Sequence, residues 1–161
     1  MTPAELLGFL QDFYGETLEL FRTRQANSRS VAGYDSNNAY QQVLGRQEVH
    51  LQWLSDAIAD LGGTAPNTPE DLAGAPASRE DARAIIEKDA RSQQAFLDRW
   101  APRVPSVTNA RNRKMLQLVL GEVKEHLRLL QQASEGRSDL LGRHADGKVL
   151  RGVVLPARPT N

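Results

Sequence analysis

The 161-residue chain contains no cysteine. Disulfide bonds, thiolate zinc sites and cysteine nucleophiles are therefore excluded, and nothing points to an oxidising compartment. Long apolar runs are also missing, because no segment approaches the roughly 18 consecutive apolar residues of a membrane span. The amino terminus carries acidic residues within its apolar run and predicts a helix rather than a secretory signal. These absences predict a cytoplasmic protein without a membrane partner.

The chain also lacks a net charge, since 20 basic residues balance 20 acidic ones. The balance is uneven: residues 1–101 hold 9 basic and 15 acidic side chains, and residues 102–161 hold 11 basic and 5 acidic ones. A nucleic-acid surface would interleave its basic residues with aromatic ones, and the second segment does not. Acidic and basic helices packed side by side explain the distribution, so we do not expect a nucleic-acid partner.

The strongest pattern lies in residues 40–63. Apolar side chains recur there every three or four positions, at Val43, Leu44, Leu51, Leu54, Ile58 and Leu61. This spacing is typical of one face of a long amphipathic helix. Gln47 and His50 lie on the same face, so two polar side chains are predicted to point into the core. Buried polar groups need hydrogen-bond partners or a ligand.

Three further segments show helical spacing. The first opens with Thr2, Pro3 and Glu5 in the positions of a capping box and extends to about residue 25 or beyond. Residues 78–81 are predicted to cap the third helix, which ends before Pro102, and the fourth runs from about residue 107 or 108 to Ser134. Residues 27–38 and 64–77 are predicted connections. Glycines at 62, 63 and 136 are predicted C-terminal caps.

Four amphipathic helices with such connections predict an all-α protein, an antiparallel up-down four-helix bundle. The bundle would form one domain over residues 1–136. Residues 137–161 contain three glycines and two prolines, so they predict an extended C-terminal tail or strap, in which residues 148–155 are a short strand candidate. No internal repeat is present.

Two helical motifs resemble a known family. The motif H-x-x-W-L, formed by His50, Trp53 and Leu54 on a helix that ends in Leu-Gly-Gly-Thr at residues 61–64, resembles the second helix of ferritin-like, rubrerythrin-type four-helix bundles. The segment GEVKEHLRLL, residues 121–130, is similar to the E-E-x-H-x-x-x-L segment of that family's last helix. The resemblance implies a ferritin-like fold. It also implies two internal metals, held by glutamates and by Glu-x-x-His pairs.

The ligand positions of the family can be carried over to this chain. They fall on Glu16 in the first helix, Gln47 and His50 in the second, and Val123 and His126 in the fourth. The third-helix acid closest to the apolar face is Asp89. Gln47 and Val123 replace two expected glutamates, so the charge available to hold two divalent cations falls short. Glu122 is four residues before His126 and is predicted to form a salt bridge or to meet solvent.

We therefore expect a di-metal centre that has been lost, with no cofactor. A hydrogen-bonded network would remain in the core, in which Gln47 donates to Glu16 and the imidazoles bridge helices; its members would be Glu16, Gln47, His50 and His126. The chain would act as a structural or protein-interaction module for an unknown protein partner, with a homodimer through one bundle face as one arrangement.

An enzyme is the alternative interpretation. The chain would then be a metal-dependent oxidase or iron-handling protein with a di-iron or mononuclear site. Iron, manganese or zinc would be bound by Glu16, His50, His126 and Asp89. The tail has an alternative too: Val149-Leu150-Arg151-Gly152 is similar to docking peptides of ferritin-like cargo proteins, although a strap is favoured because nine residues follow.

Overall fold

The computed structural model describes residues 1–66, 81–137 and 140–141. These residues form four α-helices and one short 3₁₀ helix and contain no β-strand. The α-helices are α1 (Pro3–Ser28), α2 (Tyr34–Asp60), α3 (Ala82–Trp100) and α4 (Ala110–Ser134), and the 3₁₀ helix is Val104–Ser106. The prediction of an all-α protein with four helices is confirmed. The strand candidate at 148–155 and the tail from residue 142 lie outside the described residues.

Local capping fixes the helix starts. Thr2 and Glu5 form the predicted capping box: the Thr2 side chain accepts from the Glu5 backbone N–H, and the Glu5 carboxylate accepts from the Thr2 backbone N–H. Asp81 caps α3 by accepting from the backbone N–H of Arg83, and Asn109 caps α4 in the same way. These side chains satisfy backbone donors that the first helical turn leaves unbonded.

The first connection is shorter than predicted. Residues 27–38 were expected to contain it, with α1 extending partway into this segment. α1 does continue to Ser28, but α2 already begins at Tyr34. The side chain of Asn37 explains part of the difference, because its Nδ2 donates 3.1 Å hydrogen bonds to the carbonyl oxygens of Ser28 and Val31. A polar residue that indicates a loop in the sequence therefore sits in α2 and closes the preceding turn.

Glycines close α2 and α4, as predicted. Gly62 and Gly136 have φ values of 76° and 84°, in the left-handed region that favours glycine. After α2, the N–H groups of Gly62 and Gly63 donate to the carbonyls of Ala59 and Ile58. The same pattern follows α4. These paired bonds form the Schellman motif, which satisfies carbonyls at the end of a helix.

Side-chain contacts give the directions of α1 and its neighbours. α1 is antiparallel to α2, because Gln11 donates to the Thr64 carbonyl while the end of α1 meets the start of α2. α1 is also antiparallel to α3, because Phe9 contacts Trp100 whereas Asn27 bonds to Asp89. It follows that α2 and α3 run in the same direction.

The direction of α4 completes the arrangement. Arg46 pairs with Glu122 and Asp60 pairs with Arg111, so α4 is antiparallel to α2. The chain order is therefore up, down, down, up, and not the alternating up-down order expected from the sequence. The reason is the connection of residues 61–81. Its 21 residues reach about 70 Å when extended, far beyond the roughly 28 Å length of α3, so α3 can start at the opposite end of the bundle from the end of α2.

The core has an aromatic end and a polar middle. Phe13 contacts Phe96 and Trp100 edge to face, at centroid distances of 5.1 and 4.9 Å. Further along α1, buried side chains become polar and include Arg24, which reaches across to Gln47 and Gln93. No helix in the described segments is long and apolar enough to cross a membrane. The polar middle is the part of the fold that needs a chemical explanation.

Candidate functional site

Arg24 of α1 lies at the centre of the bundle and is only 1% exposed. Its Nη1 donates a 2.7 Å hydrogen bond to Oε1 of Gln47 on α2, and its Nη2 donates a 2.6 Å hydrogen bond to Oε1 of Gln93 on α3. A buried guanidinium is costly unless its donors are bonded. One side chain therefore joins three helices and fixes their relative positions.

Asp89 of α3 is a buried acid, and its negative charge acts as the counter-ion of Arg24. It is 2% exposed and accepts hydrogen bonds of 2.7 Å from the Tyr40 hydroxyl and 2.8 Å from Asn27 Nδ2. Burial lowers the pKa of Arg24, and the negative charge of Asp89 opposes that shift. Burial also raises the pKa of Tyr40 above its ordinary range, with Asp89 adding to the effect. The phenol thus stays protonated and donates.

These residues form two hydrogen-bonded groups, one around Arg24 and one around Asp89, that are coupled by the opposite charges of those two residues. Together they are called the arginine network below. Its members are Asn27, Arg24, Tyr40, Gln47, Asp89 and Gln93. The amide of Gln93 also donates a long, 3.5 Å hydrogen bond to the carbonyl of Val123, so the network touches α4. Most of its polar atoms are bonded, but Nε of Arg24 is buried with no hydrogen-bond partner in the part of the chain described.

A second polar group lies between α2 and α4, around Glu122. Arg46 donates two hydrogen bonds to the Glu122 carboxylate, of 2.8 Å from Nε and 2.6 Å from Nη2. His50 Nε2 lies 2.8 Å from the same carboxylate. The hydrogen bond from Arg46 is the main reason that the pKa of Glu122 falls to about 2. Glu122 is therefore a carboxylate at neutral pH.

The protonation of His50 follows from this contact. The side chain of His50 is fully buried, and burial lowers the pKa of the imidazole, although Glu122 opposes the shift. A carboxylate can only accept, so a neutral His50 donates from Nε2. Its Nδ1 is then a lone pair without a hydrogen-bond partner among the described residues.

His126 of α4 lies behind His50 in the core and is 4% exposed. The two rings stack with centroids 6.0 Å apart. Burial, followed by the positive charge of Arg24, lowers the pKa of His126 to about 3. The imidazole is thus neutral, and its Nδ1 has no partner within the described segments.

The structure brings together most, but not all, of the side chains singled out in the sequence. Gln47, His50 and His126 are buried and face the centre, and Asp89 joins them from α3. Glu16 lies elsewhere.

Glu16 accepts 2.7 Å from Arg99 Nη1 and 3.0 Å from the indole N–H of Trp100, at the edge between α1 and α3. The expected hydrogen bond from Gln47 to Glu16 is wrong, since both carboxylate oxygens of Glu16 accept from Arg99 and Trp100 at this edge, whereas Gln47 lies beside Arg24. The indole N–H and the Arg99 guanidinium hold the Glu16 carboxylate at this edge, which is why it does not join the core group.

Arg24 is the central residue that the sequence analysis missed. A signal was present: Arg24 lies seven residues after Thr17 and four after Leu20, on the inward stripe of the first helix. An arginine that continues an apolar stripe, in a chain whose other helices carry glutamines on their inward faces, indicates a buried residue that hydrogen-bonds to several helices. Glu122 was predicted to form a salt bridge or meet solvent, and the salt bridge with Arg46 is present.

The buried polar side chains of the core can be tested for their ability to bind a metal ion. Within residues 1–66, 81–137 and 140–141, no group of three or more His, Asp or Glu side chains is arranged to hold a metal ion. Gln47 uses its oxygen on Arg24, and the His50 nitrogen that faces Glu122 carries a proton. The present side chains therefore do not fit a di-metal centre. Comparisons with protein-family models, curated proteins and solved structures find no match for this chain.

Proposed function

We propose that this chain is a ferritin-like bundle in which an arginine has replaced the di-metal centre, and that it acts as a structural or protein-interaction module. A cytoplasmic setting and an unidentified protein partner belong to the same proposal. The observation that carries it is the contact between Arg24 and Gln47. By the resemblance, Gln47 stands at the position of a metal-binding glutamate.

A fixed cation now occupies the neighbourhood of that position. A divalent ion placed beside the buried guanidinium would be repelled, because charges interact strongly away from water. The network instead satisfies the Arg24 amino groups with neutral amides, and Asp89 supplies negative charge nearby. Such buried networks can set helix register, which is a structural task and needs no bound ligand.

The helix order supports the ferritin-like part of the proposal. Ferritin-like folds have one long crossover connection, in contrast to simple up-down bundles with short loops. Here the connection of residues 61–81 joins opposite ends of the bundle, and all four neighbouring helix pairs are antiparallel. The helix order is an observation independent of the histidine motifs, so each of the two supports a ferritin-like fold without relying on the other.

One observation favours the alternative, a metal-dependent oxidase or iron-handling protein. His50 and His126 are neutral and buried, and each has an Nδ1 without a partner among the described residues. Neutral imidazole is the form that binds iron, manganese or zinc. In this interpretation the two histidines, with Asp89 and Glu16, would have to rearrange to converge on one ion.

Metal content and metal-dependent stability test the proposal. Purified protein is analysed for metals and then titrated without oxygen with Fe²⁺, Mn²⁺ and Zn²⁺ while the melting temperature is recorded. We expect no stoichiometric metal and no specific rise. Binding to the native state alone at a hundredfold excess over Kd would add about 2.7 kcal/mol, which such a titration detects readily.

Two variants sharpen the result. His50→Leu and His126→Leu should remain folded if the module is structural, and they should respond to metals as the wild type does. A stoichiometric ion that raises the melting temperature in the wild type, and loses this effect in His50→Leu, would overturn the proposal in favour of the oxidase. A His144→Leu variant, which removes the third histidine of the chain, controls for general imidazole binding.

A further inference from the structure

The face formed by α2 and α4 has an apolar centre between two ion pairs. Trp53 and Met115 are partly buried there, and Leu118 is 52% exposed. At one end, Arg46 and Glu122 pair at 2.6 Å. At the other end, Arg111 and Asp60 pair at 3.2 Å. These seven side chains define what is called the α2/α4 face below.

The charges of the α2/α4 face alternate in sign. At one end the basic residue lies on α2 and the acidic one on α4; at the other end the signs are exchanged. Trp53 is seven residues from both Arg46 and Asp60, which places each ion pair about 10 Å from the centre along the helix. On α4 the midpoint between residues 111 and 122 falls between Met115 and Leu118. The face is therefore symmetric in position and alternating in charge.

We propose that the α2/α4 face binds a second copy of this chain about a twofold axis that lies in the plane of the face and is perpendicular to the two helices. Such an axis exchanges the two ends of the face. Arg46 then lies opposite Asp60 of the second copy, and Glu122 lies opposite Arg111 of the second copy. Every charge meets its opposite, which is the self-complementarity that a twofold interface requires.

The apolar centre supplies the contact area in this arrangement. The axis passes near Trp53, and Leu118 of one copy falls opposite Met115 of the other. Beside them lies a groove of about 210 Å³, lined by Trp53, Ala57 and Met115 among others. Leu118 thus joins Trp53 and Met115 in an apolar patch that is rimmed by charged side chains, the kind of surface that marks a protein interaction site.

The inference rests on the proposed function as an interaction module, and it names the partner and the surface. It does not depend on the absence of a metal. A failure of the metal titration and a failure of the dimer are therefore separate results, measured on different properties of the protein.

Sedimentation of the full chain tests the interface. We expect a dimer for the wild type, and an increase in the dimer Kd of about 30-fold or more for Leu118→Glu, the effect of losing an interface hot spot. The matched control is Tyr34→Glu, because Tyr34 is 77% exposed and lies at the start of α2, away from this face. Circular dichroism confirms that both variants fold. A monomeric wild type, or a dimer insensitive to Leu118→Glu, would overturn the proposal.

The lack of cysteine allows a second test by cross-linking. A perpendicular twofold axis brings the two copies of residue 118 close together, so Leu118→Cys should form a disulfide-linked dimer on mild oxidation. Tyr34→Cys should form it much more slowly. Equal rates for the two variants would contradict the arrangement, even if the protein is a dimer through another face.

Discussion

The imidazole rings of His50 and His126 stack in the core at a centroid distance of 6.0 Å, with planes inclined by 26°. Two protonated rings at this distance would repel each other, and Arg24 lies close enough to disfavour a charge on His126 as well. Both rings are therefore kept neutral by their surroundings. This makes the stability of the fold depend on pH.

We expect the protein to lose stability as the pH falls below neutral. The pKa of His126 is about 3 in the folded chain, against an ordinary value of 6.5. Between these values the unfolded chain binds a proton that the folded chain does not, so the free energy of unfolding decreases as pH decreases. One such histidine gives a slope of up to about 1.4 kcal/mol per pH unit. His50, whose pKa is also lowered, acts in the same direction.

Urea unfolding between pH 7 and 4 measures this slope. His126→Leu should reduce it by close to one proton, whereas His144→Leu, in the predicted C-terminal tail, should leave it unchanged. An unchanged slope in His126→Leu would show that His126 is protonated in the folded chain and that the stacking is tolerant of charge.

Arg24→Met should destabilise the fold by about 3–5 kcal/mol, the usual cost of leaving buried partners uncompensated. The carbonyl oxygens of Gln47 and Gln93 would lose their donor, and Asp89 would lose the nearby positive charge. The control is Arg91→Met on the exposed surface of α3, for which we expect a change within about 0.5 kcal/mol. Denaturant unfolding gives both values.

A double-variant cycle tests the electrostatic part of that cost. Arg24→Met combined with Asp89→Asn should be less destabilised than the sum of the single variants, because the two buried charges are removed together. Strict additivity would mean that Asp89 does not act as the counter-ion of Arg24 and that the network is held by the amides alone.

Glu122→Gln should lower stability at pH 7 by about 1 kcal/mol, since charged hydrogen bonds are weakened by partial exposure to water. The carboxylate is about one-third exposed, and it accepts from both Arg46 and His50. Glu125→Gln removes the acid of an exposed pair with Arg128 and should change stability by less than about 0.5 kcal/mol. Nitrogen NMR of the wild type should show the proton of His50 on Nε2; a proton on Nδ1 would contradict the assigned contact.

Glu16→Gln should alter the fluorescence of the chain without altering its metal response. Glu16 accepts from the Trp100 indole and from Arg99, so its loss changes the surroundings of a buried tryptophan. In the oxidase interpretation Glu16 is a ligand, and Glu16→Gln would reduce metal affinity. The two readouts therefore separate a structural glutamate from a metal-binding one.

The helix ends that could be predicted are those set by short-range chemistry. The Thr2 capping box and the glycines at 62 and 136 act within a few residues, and the structure has them where the sequence placed them. The start of α2 was predicted six residues late. Asn37 lies in the segment predicted as a connection, and its capping role depends on carbonyls of the preceding turn.

The partners of the inward polar residues depend on how the helices are shifted along their axes, which periodicity does not encode. Glu16 and Gln47 were both predicted to face inward, and they were therefore paired. Gln47 in fact lies level with Arg24, eight residues after Glu16, or about 12 Å further along α1. The direction of α3 could not be predicted either, because the long connection of residues 61–81 allows α3 to run parallel or antiparallel to α2.

The polar contacts between the α1–α2 hairpin and the α3–α4 hairpin have a consequence for folding. Arg24, Tyr40 and His50 belong to the α1–α2 hairpin, while Asp89, Gln93 and Glu122 belong to the α3–α4 hairpin. Each polar set would face water or remain unpaired until the hairpins associate. We therefore expect the hairpins to gain stability jointly, in one cooperative transition, with the central polar contacts forming late and amide protons in the middle of all four helices exchanging together.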